Sequence, residues 1–547
     1  MNGTLPRVIK PALVLACACA LLCGPGSLAA QAAAKQIAIP LPPMGWSSWN
    51  SFSNTVDSEI VAAQAQAMVS SGMRTAGYGQ INIDEGWWLG ERDAEGNIVV
   101  DPKAWPALEP GERDGDMSNI VRYIHGLGLK AGIYTDAGAD GCSTVGPDLG
   151  PSYPHTGSEG HYEQDFLQFT KWGFDYVKVD WCGGYKENLD PAIQYAEIAR
   201  AIGRAEAITG HQLYFSICNW GKDSPWSWAP DIGGVTADIW RTGGDIVAPI
   251  VAGTKNSGRQ AEFKEILREF DQAYHPEAQH TGFYNDPDMM VVGMQGLTDE
   301  QSRAHMSLWA ILGGPLLVGA DLTKLSDATR ATLTNSDVLA IDQDPLGLQP
   351  VKVSEPGTGL QVWSKPLSAA GQRAVLLLNR TDAPAQIAVN WKELGLIDSS
   401  PVAVRDVWAH KDLGTFRSSY SATAPAGDVV LLIVRGADIS SASYQPAPAT
   451  GEADRKSRLV SFTHVASRSH VAVVQITYSN PDKAARFAEL RVNGQVATRI
   501  AFPPTGNSGA LGTIAIEALL DRTGSNNVLA FSSPCGPGPD IESIAVQ

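Results

Sequence analysis

The run DYVKVDWCGG ends its strand-like part at Asp180, and Lys178, two residues earlier, projects from the same face. An ammonium group there favours the ionised carboxylate, as a nucleophile requires; an ordinary salt bridge at a strand end accounts for the pair as well. In ADIWRTGGDI, Arg241 precedes Asp245 by four residues just past another strand-like run. That spacing serves either a held catalytic acid or an exposed loop carboxylate. Asp84 and Glu85 in INIDEGWW, and Asp286 and Asp288 in YNDPDMM, add acids beside aromatic residues. Each signal is weak alone, but carboxylates interleaved with Trp49, Trp87, Trp88, Trp181, Trp220, Trp240 and Tyr134 suit a neutral polyhydroxylated ligand. Acids accept hydroxyl hydrogen bonds, and aromatic faces cover the C–H side of such a ring. The sequence has no His-x-His or His-Glu-x-x-His zinc motif, no phosphate-cradling loop and no Gly-x-Ser-x-Gly elbow. Two carboxylates are then the economical catalytic device, with no metal or cofactor.

These residues sit at the ends of regularly spaced elements. QINID (80–84), KAGIYTD (130–136), DYVKVD (175–180), LYFSI (213–217), TADIW (236–240) and PLLVG (315–319) read as strands, with helical stretches such as 58–71 and 117–127 between them. That alternation over 37–345 predicts a (β/α)8 TIM barrel rather than an open sheet, since no glycine-rich nucleotide turn is present. The helical period then stops. LQVWSKPL, RAVLLLNR, AQIAVNW and DVVLLIVRG predict an antiparallel β-sandwich over 350–436. A Pro/Ala/Ser-rich stretch at 440–457 reads as a linker. Beyond it, 458–547 reads as a third, all-β unit with a hairpin turn at Asn493-Gly494.

Composition narrows the classes. The chain has 547 residues, formal net charge −17, and 55 Gly with 34 Pro, which fits a multidomain, loop-rich protein and opposes binding to nucleic acid or anionic lipid. Residues 1–32 carry Arg7 and Lys10, an apolar run too short to span a bilayer, and small residues after it, the layout of a secretory signal peptide. A secreted or periplasmic location follows as the expectation, with three of the seven cysteines lost on cleavage.

PPMGWSSWNSF (42–52), INIDEGWW (81–88), KAGIYTDAG (130–138), YVKVDWCGG (176–184), WRTGGDI (240–246) and NDPDMMVVG (285–293), in this order, resemble glycoside hydrolase family 27, the α-galactosidase and α-N-acetylgalactosaminidase (melibiase) family. The resemblance covers about 37–436 and implies a barrel followed by a sandwich, and anomer-retaining hydrolysis of terminal α-galactosides. By the motifs, Asp180 falls on the nucleophile and Asp245 on the acid/base, carboxyls that retention requires about 5–5.5 Å apart. Trp49, Asp84, Glu85, Tyr134, Lys178, Arg241 and Asp288 fall on positions lining the sugar pocket, and Cys142 with Cys182 on a disulfide beside it. Two positions depart from the pattern. Glu85 stands where Asp is usual, and Asn219, in SICNWG, where α-galactosidases carry the Glu that reads the sugar 2-hydroxyl. Galactose remains the expected sugar. The alternatives are a β-L-arabinopyranosidase or α-N-acetylgalactosaminidase of the same family, and a non-catalytic sugar-binding protein. The last unit is similar to family 35 and family 6 carbohydrate-binding modules of jelly-roll fold through ELRVNGQVATRIAFPPTG and GPDIESIAV, though it contains no Trp.

Overall fold

The computed structural model describes residues 41–145, 155–229, 237–246, 260–280, 282–438, 441–448, 459–467, 471–482, 486–502, 504–506, 509–521, 526–533 and 537–546. The signal-like segment 1–32, Cys535 and much of the linker lie outside them.

Eight parallel strands curl into the barrel: β1 (Met44–Ser47), β2 (Gln80–Asn82), β3 (Lys130–Asp136), β4 (Tyr176–Asp180), β5 (Tyr214–Cys218), β6 (Ile239–Arg241), β7 (Tyr284–Asp286) and β8 (Leu316–Val318), with β8 paired to β1. A bridge between Met290 and Val318 links the chain just past β7 to β8. Parallel pairing needs a crossover after each strand, and helices supply several: α1 (Ser58–Ser70), α2 (Ser118–Gly126), α3 (Tyr162–Trp172), α4 (Cys182–Lys186) with α5 (Pro191–Thr209), α6 (Phe263–Gln272) and α7 (Asp299–Leu312). Their starts are written in the sequence. Asp57 accepts from Ile60 N at the head of α1, Asp190 from Ile193 N at α5, and Thr298 with Gln301 makes a capping box at α7.

The antiparallel sandwich packs directly on this barrel. Its six-stranded sheet joins β9 (Val351–Gly357), β10 (Leu360–Pro366), β11 (Gln372–Asn379), β13 (Val402–Asp406), β14 (Lys411–Phe416) and β16 (Asp428–Arg435), while β12 (Ala385–Asn390) pairs with β15 (Ser419–Ala424). On β11, Ala374, Leu376 and Leu378 join the barrel core, whereas Val375 and Leu377 point into the sandwich core. Two buried faces explain why this strand is a continuous apolar run instead of an alternating one.

The third unit is two facing four-stranded antiparallel sheets: β17 (Ala442–Tyr444), β19 (Val471–Ser479), β22 (Gly512–Leu519) and β24 (Asp540–Val546) in one, β18 (Val460–Val465), β20 (Arg486–Val492), β21 (Gln495–Phe502) and β23 (Asn527–Ser532) in the other. Asn493 (φ 51°) and Gly494 (φ 84°) make the hairpin turn between β20 and β21. Strand β17 lies inside the stretch read as a linker: Ala442 to Tyr444 pair with Val546 to Ile544, so this segment belongs to the module.

Candidate active site

Parallel register brings strand ends to one level around the barrel mouth. Asp136 on β3 lies opposite Asp180 on β4, Asp180 opposite Cys218 on β5, and Arg241 on β6 opposite Asp286 on β7. A cleft there is lined by Ser47, Asp84, Tyr176, Lys178, Cys218, Arg241, Asp286 and Asp288, among others. This is the strand-carboxyl end, where barrels of this kind carry their chemistry.

Two ion-pair systems organise the cleft. In the first, Lys178 Nζ lies 3.0 Å from Asp84 Oδ2 and 3.6 Å from Asp180 Oδ2, and 5.2 Å from the centre of the Tyr134 ring. Asp180 is only 5% exposed, and its Oδ1 accepts from Trp181 N at 2.9 Å. Burial pushes its carboxyl above the ordinary value, Lys178 pulls it back, and Asp245 raises it again. In the second system, Arg241 donates to Asp288 Oδ1 at 3.0 Å, to Gly244 O at 2.7 Å and to Asp245 Oδ1 at 3.1 Å. Asp288 holds the left-handed region (φ 89°), a conformation that costs a non-glycine residue about 1–3 kcal/mol. Its surroundings over-determine it: Arg241 and Ile246 N hold its carboxylate, its N–H donates to Asp286, and its carbonyl accepts from Trp309 Nε1. Asp245, by contrast, has a side chain 67% exposed. One carboxyl is buried beside a cation, and the other stands in solvent at the rim.

Of the residues expected from sequence, Asp84, Lys178, Arg241 and Asp288 line the cleft, Asp180 and Tyr134 adjoin it through Lys178, and Asp245 joins through Arg241. Trp49 stands half-buried two residues after β1, at the start of a short helical turn. Glu85 and Asn219 are fully buried and absent from the wall of the cleft. Both Glu85 oxygens accept from Ser143, and burial pushes its carboxyl up to about 8 against those bonds. Asn219 Nδ2 donates to Lys222 O at 2.7 Å, leaving its Oδ1 without a partner among the described residues.

Asp136 is a residue that the sequence argument passed over. It is fully buried, accepts from Gly138, Cys182 and Gly183 N, and so fastens the head of α4 to the end of β3. A Cβ on Gly138 would come within 2.2 Å of Gly183 C, so glycine is needed for these loops to touch. That contact lets the Cys142–Cys182 disulfide form across a Cα–Cα distance of 5.0 Å. The side-chain donor atoms of Asp136, Asp180 and the two cysteines lie within 4.8 Å of one another. With the sulfurs bonded to each other, no thiolate is offered to a metal. The signal for Asp136 was its place at the end of KAGIYTD, in register with Asp180.

Residues 41–344 match the family described as alpha galactosidase A, 357–434 its C-terminal β-sandwich domain, and 460–546 a CBM13-like domain of α-galactosidases. The chain belongs to the α-galactosidase (melibiase) family. Alpha-galactosidase A of Cellvibrio japonicus is 39% identical over 401 residues, covering 72% of this chain and 91% of that protein. The Cyamopsis tetragonoloba α-galactosidase is 37% identical over 369 residues, covering 68% and 80%. The crystal structure of α-galactosidase I from Mortierella vinacea superposes with a TM-score of 0.62 at 29% identity, over 73% of this chain and 98% of that one. The third unit is thus a carbohydrate-binding-type module appended to a melibiase barrel and sandwich. Among the described residues no helix is long and apolar enough to cross a membrane.

Proposed function

We propose that this melibiase is a retaining α-galactosidase that removes terminal α-D-galactosyl residues from oligo- or polysaccharides, with Asp180 as nucleophile and Asp245 as acid/base. The observation that carries the assignment is the contrast between the two carboxyls: Asp180 buried beside Lys178, and Asp245 exposed at the mouth on the Arg241 tether. An Asp180 oxygen attacks the anomeric carbon while Asp245 protonates the departing glycosidic oxygen, so the C–O bond to the leaving group breaks as the ester to Asp180 forms. Asp245, now ionised, takes a proton from water, whose oxygen attacks the same carbon and returns Asp180 as a carboxylate. Lys178 stabilises the ionised nucleophile between turnovers. Asp84 and Asp288 offer carboxylate acceptors to sugar hydroxyls at the cleft wall. The signal-like segment, together with a disulfide beside the nucleophile, supports a secreted or periplasmic site of action.

The test is hydrolysis of an aryl α-galactoside with the anomer of the first-released sugar followed by NMR. Wild type should release α-galactose, and Asp180→Ala should lose about four orders of magnitude in kcat. Release of the β-anomer, or a fully active Asp180→Ala, would overturn the assignment. Matched aryl β-L-arabinopyranoside and α-N-acetylgalactosaminide should be poorer substrates.

A further inference from the structure

We infer that Tyr185 and Lys222 form a binding subsite for a second pyranose ring, the one that leaves when the galactosyl bond is cut; this rests on the reading of Asp180 and Asp245 above. A single exposed aromatic residue is ordinary on a protein surface, but four observations set this one apart.

First, Tyr185 is 62% exposed yet sits on α4, a segment held rigidly by the disulfide at Cys182 and by the bonds from Cys182 and Gly183 N to Asp136. A platform for stacking loses little freedom on binding when its backbone is already fixed. Second, Tyr185 follows Cys182 by three residues, so the two side chains are neighbours on one helix face. The Cys182 sulfur is itself within 4.8 Å of an Asp180 carboxylate oxygen, and Tyr185 follows one helical turn further along α4.

Third, Lys222 Nζ lies 5.8 Å from the Tyr185 ring centre, bringing a cation and its donors to the ring. Lys222 is placed by the loop after β5, where its carbonyl accepts from Asn219 Nδ2. Fourth, that loop abuts the acid/base loop. Gly221 (φ 75°) approaches Thr242 so closely that a Cβ would stand 2.2 Å from Thr242 O, three residues before Asp245. The ring and the ammonium therefore lie between the loop of the nucleophile and the loop of the acid that protonates the leaving oxygen. A leaving group must occupy that side of the cleft. A pyranose suits it, since its C–H face stacks on an aromatic ring while its hydroxyls accept from an ammonium.

The experiment compares kcat/KM for an α-galactosyl-(1→6)-glucose disaccharide with that for α-galactosyl fluoride, whose leaving group has no ring. In Tyr185→Ala the disaccharide-to-fluoride ratio should fall about tenfold, equivalent to ~1.4 kcal/mol of transition-state binding. Tyr185→Phe should restore the ratio, and Lys222→Met should lower it less than Tyr185→Ala does. An unchanged ratio, or equal losses on both substrates, would overturn the subsite. Failure of the wild type to hydrolyse the fluoride would instead overturn the underlying reading of Asp180 and Asp245.

Discussion

The carboxyls of Asp180 and Asp245 have the same chemistry and opposite surroundings, and that difference divides the labour between them. Burial works against the charge that Asp180 must carry, so Lys178, 3.6 Å away, is the group that keeps it usable. Removing the ammonium in Lys178→Met should raise the Asp180 pKa further, because the opposing charge is gone while the burial stays. Activity needs the ionised form, so the acid limb of the kcat/KM profile should move about one unit or more to higher pH, with a lower plateau. An acid limb that stays in place would mean that Asp180 draws its stabilisation from elsewhere. Residue types and spacing marked Asp180, Lys178 and Arg241 as candidates, because side-chain direction along a strand is fixed by its period, whereas Asp288, past the end of β7, stood out only through the family motif. They could not place Glu85 or Asn219. Glu85 turns to Ser143, which stands beside Cys142 on the loop after β3 and lies 58 residues away along the chain, a long-range contact invisible in INIDEGWW.

Barrel strands with continuous apolar interiors, such as KAGIYTD and LYFSI, were legible from the sequence, and β3 spans the same residues that were expected. Strands β1 and β7 were not read as strands, because MGWS and YND spend their few positions on glycine and site-facing polar groups instead of a β-branched run. In the sandwich β9, β13, β14 and β15 escaped for a similar reason, their exposed positions diluting the apolar signal. The disulfide is a case where an element depends on a covalent tie: replacing Cys142 and Cys182 by Ser should lower unfolding free energy by about 2–4 kcal/mol, measured by denaturant titration. No loss would mean that Asp136 alone holds α4. Helix α7 carries a different liability. His305 is fully buried against Trp309, neither ring nitrogen has a partner among the described residues, and burial drives its pKa down to about 3. The folded state thus resists protonation that the unfolded chain accepts below its ordinary 6.5. This contribution is complete above that value and is lost as pH falls toward 3. His305→Met should therefore gain on wild type by about 3 kcal/mol at pH 4 and show little pH-dependent gain at pH 7. A constant difference across that range would contradict the buried neutral imidazole.

At the scale of the whole molecule, the barrel and sandwich share one hydrophobic core through β11, so they fold as a unit, and the question is how firmly the module joins them. On β22 the side chains of Ile514, Ile516 and Ala518 fill the module's own core, so Ala515 and Glu517 face the other way, yet both are almost fully buried. What covers that face is the rest of the protein: Glu517 feels the charges of Lys365 on β10 and of Glu277 in the barrel, and Phe487 packs against the barrel core. Neither Glu517 oxygen has a partner among the described residues, and burial pushes its carboxyl well above the ordinary value. A raised carboxyl favours folding while protonated, and its contribution fades as pH rises beyond 4.5, the ordinary value. Glu517→Gln should consequently melt higher than wild type at pH 8, with the gap closing toward pH 4.5; a variant less stable at pH 8 would mean that Lys365 and Glu517 act as an ion pair. Ending the chain after Asp438, which Arg373 and Gly371 N hold to the sandwich, removes β17 with the rest of the module. Every described site residue precedes that cut, so kcat/KM on an aryl α-galactoside should stay within about threefold, while the melting temperature falls because the surface under Phe487 and Glu517 meets water. Loss of turnover in a truncated chain that still melts cooperatively would show that the docked module shapes the cleft, and would refute the separation of chemistry from attachment drawn here.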